Sequence, residues 1–458
     1  LTEPGSLGEL LAALAAARRV RAQGLRGSSR AHVLSLLLRR LGRPFLVLTA
    51  TLSEARRFAD ELRFFLGAGA GSHPDEPDVV LYPAWDAGPF EGIVPLPEVS
   101  ARRLAALHRC SAGGSFACVA PVAAVLQRTI PPEVLASSAV RVRAGEPLAR
   151  EGFAARLVAS GYHMVSQVEE RGEASVRGGI LDVFPPFYPR PFRIELFGDE
   201  VESIRAFDPE TQRSRERFDS ALLLPAREAV EEEGGVERAV HRLRLRGREQ
   251  GLPRAKVAEA MESLRGSALS PVRELFFPYL YPEASTLWAH LPSGFLLAVD
   301  EAGPVEDRAR EFLAEVARGQ ERAAEREQFV PRAEELYVGA SEWEGFAEGA
   351  ARLDLEELEA EGGAGPAVGF GTRSNQDLSA ALRQHRGVDR LLTPLVEEIR
   401  RSRERGESVW LVAHGAGSAQ KLRDLLEPYA VHLPPAEPFD AGADPDGRLH
   451  VAVGALAR

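Results

Sequence analysis

The first residues to weigh for chemistry are Gly24-Leu-Arg-Gly-Ser-Ser-Arg-Ala31. The run has the length of a phosphate-binding loop, G-x-x-x-x-G-K-[ST], and lies between a short strand candidate and a helical pattern from Ala31 to Leu41. Such a loop needs a second glycine for close backbone approach, a lysine on the terminal phosphates and a hydroxyl on magnesium. Gly24 and Gly27 supply turn residues, but those three positions hold Ser29, Arg30 and Ala31. Arg30 keeps a positive charge, whereas Ala31 offers magnesium no ligand. The expectation is a degenerate loop that does not hydrolyse nucleotide. An ordinary strand–helix turn accounts for the same residues.

Asp300-Glu301 follows the apolar run Phe295–Val299, as the acidic pair that holds magnesium and polarises water follows a strand in phosphate-loop ATPases. Without the lysine and the hydroxyl, the pair is vestigial, and helix capping is the plainer role for strand-end carboxylates. Gly415-Ala-Gly417 is part of a dinucleotide fingerprint, but Gln420 stands where the third glycine belongs. No Ser/His/Asp or Cys/His set stands out as catalytic. Cys110 and Cys118 are the two cysteines, and no His/Cys cluster has metal-ligand spacing. Neither zinc nor a disulfide is expected, and a reducing cytoplasm fits.

The elements that must position these residues follow from periodicity. Pro44–Thr49, Asp78–Pro83 and Phe116–Ala120 are apolar strand runs alternating with helical patterns. Thr51 or Ser53 caps the first of those helices, and the alternation argues for a parallel α/β sheet over residues 1–138. Over 139–225 a helix (Arg150 to Ser160) precedes short runs at Ser175–Phe184, Pro191–Phe197 and Val201–Phe207. Turn chemistry separates them, as in a small antiparallel α+β domain inserted into the chain. Residues 226–362 return to helix-rich sequence as the second part of the scaffold. Glu361–Pro366 has linker composition, and Ser408–Ala413 with the following helix suggests a third, truncated α/β domain over 363–458. The chain starts at Leu1 without a signal peptide and stops after a strand-like run, which reads as a fragment of a longer protein. No run is apolar enough to cross a membrane, and a net charge of −11 opposes independent duplex DNA binding.

Three runs together resemble the bacterial transcription-repair coupling factor family, Mfd, in its N-terminal region. They are Tyr82–Phe90, Gly161–Pro185, and Phe192–Asp208 continued by Thr211-Gln-Arg213 and Leu222–Pro225. The match covers residues 20–230 well. The excinuclease B subunit, UvrB, shares this module but keeps an intact phosphate loop and a long tyrosine-rich hairpin. Here Asp86–Val99 is short, with only Trp85 and Phe90 as aromatics nearby.

The resemblance implies a P-loop-NTPase-like scaffold with a degenerate nucleotide site, carrying an inserted domain that binds the excinuclease A subunit, UvrA. It implies no cofactor and no enzyme activity in this chain. ATP, magnesium, RNA polymerase and DNA would engage later domains of an ATP-dependent translocase. By motif, the UvrA contacts fall on Arg177, Arg193 and Phe197. Strand alternation independently points Arg193, Glu195 and Phe197 to one side, an aromatic beside a guanidinium, while Phe192, Ile194 and Leu196 face a core. Whether Arg177 shares that face depends on hairpin register. Arg193→Glu is expected to abolish binding with the fold and melting unchanged. Two other functions fit the sequence: an active UvrB-like repair ATPase, and a regulatory module sensing a ligand through the loop after Ala413.

Overall fold

The computed structural model describes residues 4–67, 77–231, 234–266, 271–281, 283–360, 362–385, 391–439, 447–454 and 456. In chain order the strands are β1 (Arg19–Gln23), β2 (Phe45–Thr49), β3 (Val79–Leu81), β4 (Ala117–Pro121), β5 (Val140–Arg143), β6 (His163–Met164), β7 (Glu173–Arg177) and β8 (Ile180–Val183). They continue with β9 (Phe192–Phe197), β10 (Glu200–Phe207), β11 (Ser214–Phe218), β12 (Ser220–Leu223), β13 (Leu296–Asp300), β14 (Ala351–Leu355), β15 (Ala367–Gly369), β16 (Val409–Ala413) and β17 (Leu449–Val453).

Seven strands pair in the order β15-β1-β14-β13-β2-β4-β3, all parallel. β2, β4 and β13 are buried along their whole length, which is why their sequences are continuous apolar runs. Helices cover the sheet on two sides and divide its core in two. One of them, Leu52–Leu66, starts at Thr51 with a full capping box to Glu54 and stops at left-handed Gly67.

The second sheet, β11-β10-β9-β8-β7-β6, is antiparallel except for the β6–β7 pair. Its inner face packs Leu181, Val183, Phe192, Ile194 and Ile204 against Phe153 and Leu157 of the helix Arg150–Ala159. The short run Ser175–Phe184 is a hairpin, turning at Gly178-Gly179. β5 and β12, at the two ends of this region, pair with each other.

A buried ion pair fastens the chain leaving β12 to the first sheet. Glu228 accepts from Arg103 Nε at 2.6 Å, Thr129 Oγ1 at 2.8 Å and Trp85 Nε1 at 3.2 Å. Both ionic side chains are at most 1% exposed, so each depends on the other for its solvation.

The glycine-rich stretch expected to act as a linker lies against the sheet edge instead; Glu361 itself is outside the described residues. A Cβ on Gly365 would collide with the Arg19 carbonyl, and β15, just after it, extends the first sheet beside β1. The span assigned to a third unit therefore begins by completing the first. Farther along, β16 and β17 form a parallel pair with its own small core around Leu426 and Val451. Phe439 of this region, packed on Trp410, meets Phe64, Phe65 and His32, tying it to the helices over β1 and β2.

Candidate functional site

The loop after β1 ends in the helix Ser29–Leu41, two residues earlier than the periodicity suggested. Gly24 is left-handed (φ 73°), and a Cβ there would run into the Phe370 carbonyl, so glycine is required by packing. Some of the loop's groups have partners within the chain, although the buried Ser29 hydroxyl has none among the described residues. The Arg26 N–H donates to Thr372 Oγ1 at 2.9 Å, and the Thr372 hydroxyl donates to the Gly24 carbonyl. Arg30 Nη1 lies 2.7 Å from Asp300 Oδ1 and 3.0 Å from Glu301 Oε1, with Arg30 12% exposed.

The acidic pair therefore faces the residue standing at the lysine position of the loop. Burial pushes the Asp300 carboxyl up to about 6 despite Arg30 beside it, because its 6%-exposed side chain has lost most of its water. Glu301 occupies the N-cap position of the helix Ala302–Glu325 at φ 59°, but its carboxylate takes Arg30 and the Glu357 N–H and makes no side-chain cap bond. Ser29 and Ala31 are both buried, and neither reaches these acids by any hydrogen bond among the described residues. Trp85 and Phe90, the two aromatics at the UvrB hairpin position, turn inward onto Tyr337.

The outer face of the second sheet is built differently. Register places Asp182 opposite Arg193 and opposite Ser175, and Ile180 opposite both Arg177 and Glu195. Arg177, Arg193, Glu195 and Phe197 thus share one face, which resolves the register question for Arg177. Asp182, fully buried, joins the two arginines: it accepts from Arg177 Nη2 at 2.9 Å and from Arg193 Nε and Nη2, both at 2.8 Å. Arg193 also stacks on Phe207, 4.6 Å from the ring centroid, and donates to the Gln212 carbonyl and Oε1. Gln212 holds a left-handed backbone (φ 59°) and anchors its amide on Val168 and Pro209.

The three predicted contacts differ sharply in exposure. Phe197 is 82% exposed at the tip of the β9–β10 hairpin, Arg177 is half-exposed, and Arg193 is 15% exposed. An aromatic ring held in water on the same face as two oriented guanidiniums is a costly arrangement for a free surface. Arg193 is not a free surface charge. A glutamate there would set a second carboxylate against buried Asp182, so the expectation of unchanged melting for Arg193→Glu is corrected.

Comparison with known proteins bears on both features. A family model described as the UvrB interaction domain matches residues 140–228, the span of the second sheet. The transcription-repair-coupling factor of Myxococcus xanthus is 32% identical over 97% of this chain and 38% of its own length. The resemblance to transcription-repair-coupling factors holds. Those of Bacillus subtilis (strain 168; 30% identity, 64% of this chain, 25% of that protein) and Haemophilus influenzae (33%, 47% and 18%) also match. The chain thus spans well under half the length of these coupling factors.

Asp182, Gln212 and Phe207 escape a reading of the sequence of this coupling-factor relative. Asp182 lies inside the apolar run Ile180-Leu-Asp-Val-Phe184, and that break in an otherwise apolar strand was the available signal. The position of Gln212 in a turn gave none. Among the described residues no cluster of His, Cys, Asp and Glu is arranged to hold a metal, and no helix is long and apolar enough to cross a membrane.

Proposed function

We propose that this chain is a recruitment module that binds UvrA through the outer face of its second sheet, bringing nucleotide excision repair to stalled RNA polymerase. The observation that carries the reading is Phe197, 82% exposed on the hairpin tip and on the same sheet face as Arg177 and Arg193, both locked on Asp182. The ring supplies apolar area that only a partner can cover, and the guanidiniums are already oriented, so little side-chain entropy is lost on docking. The UvrB interaction domain match over 140–228 and the coupling-factor relatives support the identity of that partner.

The scaffold is read as P-loop-NTPase-like with a degenerate site. The Arg30 ion pair and the Thr372 contacts support a loop that takes no Mg-ATP, and hence a non-enzymatic role for this chain. Hydrogen exchange with purified UvrA tests the recruitment reading. Added protection confined to β8, β9 and the 197–200 hairpin is the expected result. Protection elsewhere, with these strands unchanged, overturns it.

A further inference from the structure

The register of the second sheet lines up more charge than the three predicted contacts use. One cross-strand row runs Ser175, Asp182, Arg193, Arg205, Arg217, each residue directly opposite the next. Three arginines on three adjacent strands therefore project from the same face. Like charges directly opposite destabilise a sheet, and side chains of other types would pack there at lower cost. The adjoining row, Arg177, Ile180, Glu195, Ser203, adds one arginine and one carboxylate. Across both rows four guanidiniums face two carboxylates.

Both carboxylates are already engaged. Asp182 is committed to Arg177 and Arg193. Glu195 accepts from the Ser203 hydroxyl at 2.5 Å and lies 3.5 Å from Arg205 Nη2, which is 41% exposed. Arg217, on the exposed strand β11, donates to the Glu202 carbonyl at 3.3 Å, and no carboxylate within ion-pair distance of it is found among the described residues. At its β11 end the row therefore carries a guanidinium that no carboxylate offsets among the described residues, on a chain whose net charge is −11.

We infer that the docking face extends from Phe197 and Arg193 across Arg205 to Arg217, and that its partner presents an acidic protein surface there. The inference rests on the UvrA reading for the partner's name and deepens it by stating where acidic side chains of UvrA must lie. The arginine row is continuous with the proposed contact residues through Arg193. Its spacing, one guanidinium per strand at about 4.8 Å between strands, suits carboxylates on a protein edge. Charges at such a rim act mainly on association rate and salt dependence, while the aromatic anchor sets residence time.

The test is titration of UvrA with the whole chain as wild type, Phe197→Ala, and Arg205→Gln/Arg217→Gln, at low and high salt, with a short duplex DNA as a second titrant. The double glutamine variant is expected to bind UvrA about tenfold more weakly at ~50 mM salt, with a flatter salt dependence and an unchanged melt. Wild-type binding that Phe197→Ala loses but the double variant keeps, with the same salt slope, overturns the extension and leaves the UvrA reading standing. No binding by wild type removes both. Duplex DNA binding that only the double variant loses makes the row a nucleic-acid site and also overturns the inference.

Discussion

Asp182 shows how one buried carboxylate can organise the proposed docking face from beneath it. It fixes Arg177 and Arg193 by three hydrogen bonds of 2.8–2.9 Å, and its own burial is tolerable only because both arginines are there. Asp182→Ala is expected to cost about 3 kcal/mol in urea unfolding, since it strands Arg193 in a mostly covered site. Phe197→Ala, by contrast, removes a ring that touches little of its own chain, and its melting temperature should match wild type while UvrA affinity collapses. A Phe197→Ala variant that melts early would show the ring to be structural. The alternation of Arg193, Glu195 and Phe197 was legible because a strand has a two-residue period. The Asp182 hub was not, because it needs two cross-strand registers at once, and register depends on the turns at Gly178 and Gly198.

At the scale of elements, the helix Ser29–Leu41 buries a titratable side chain. His32, on its buried side, packs 4.9 Å from Phe65, and its Nδ1 has no hydrogen-bond partner. Burial lowers its pKa to about 4. The imidazole is therefore neutral in the fold, and its contribution is complete above pH 6.5 and lost as pH falls from 6.5 toward 4. His32→Phe keeps an aromatic and removes the proton. It should flatten the fall in stability over that window by at most roughly 3 kcal/mol, measured by urea unfolding at several pH values. An unchanged pH slope would mean that the ring titrates in water.

The loop ahead of this helix bears a second expectation. Saturating Mg-ATP should leave the melting temperature unmoved, because Arg30 is engaged by Asp300 and Glu301 and the Arg26 N–H by Thr372. A rise of several degrees, lost in Arg30→Ala, would restore a nucleotide site. The strand runs at 44–49 and 116–120 could be read from composition alone. The pairing of β15 with β1 could not, since a three-residue strand after a glycine-rich stretch has the composition of a loop.

Over the whole molecule, two sheets share one anchored junction. The insertion leaves and rejoins the scaffold at β5 and β12, and Glu228 with Arg103 fastens the exit. The net charge of −11 gives no general attraction for duplex DNA, and the proposed recruitment would fall to a local face whose arginines are arranged by register. The alternation of apolar and polar runs revealed a parallel scaffold with an antiparallel insertion. The Arg103–Glu228 pair did not show in the sequence, because its members are 125 residues apart and each reads alone as a surface charge.

The most direct measurement is a nucleotide-free calorimetric titration of UvrA into this chain, run beside Arg177→Ala/Phe197→Ala. The account predicts a saturable heat of binding for wild type and none for the folded double variant. Equal binding by both proteins, or no binding by folded wild type, would contradict it.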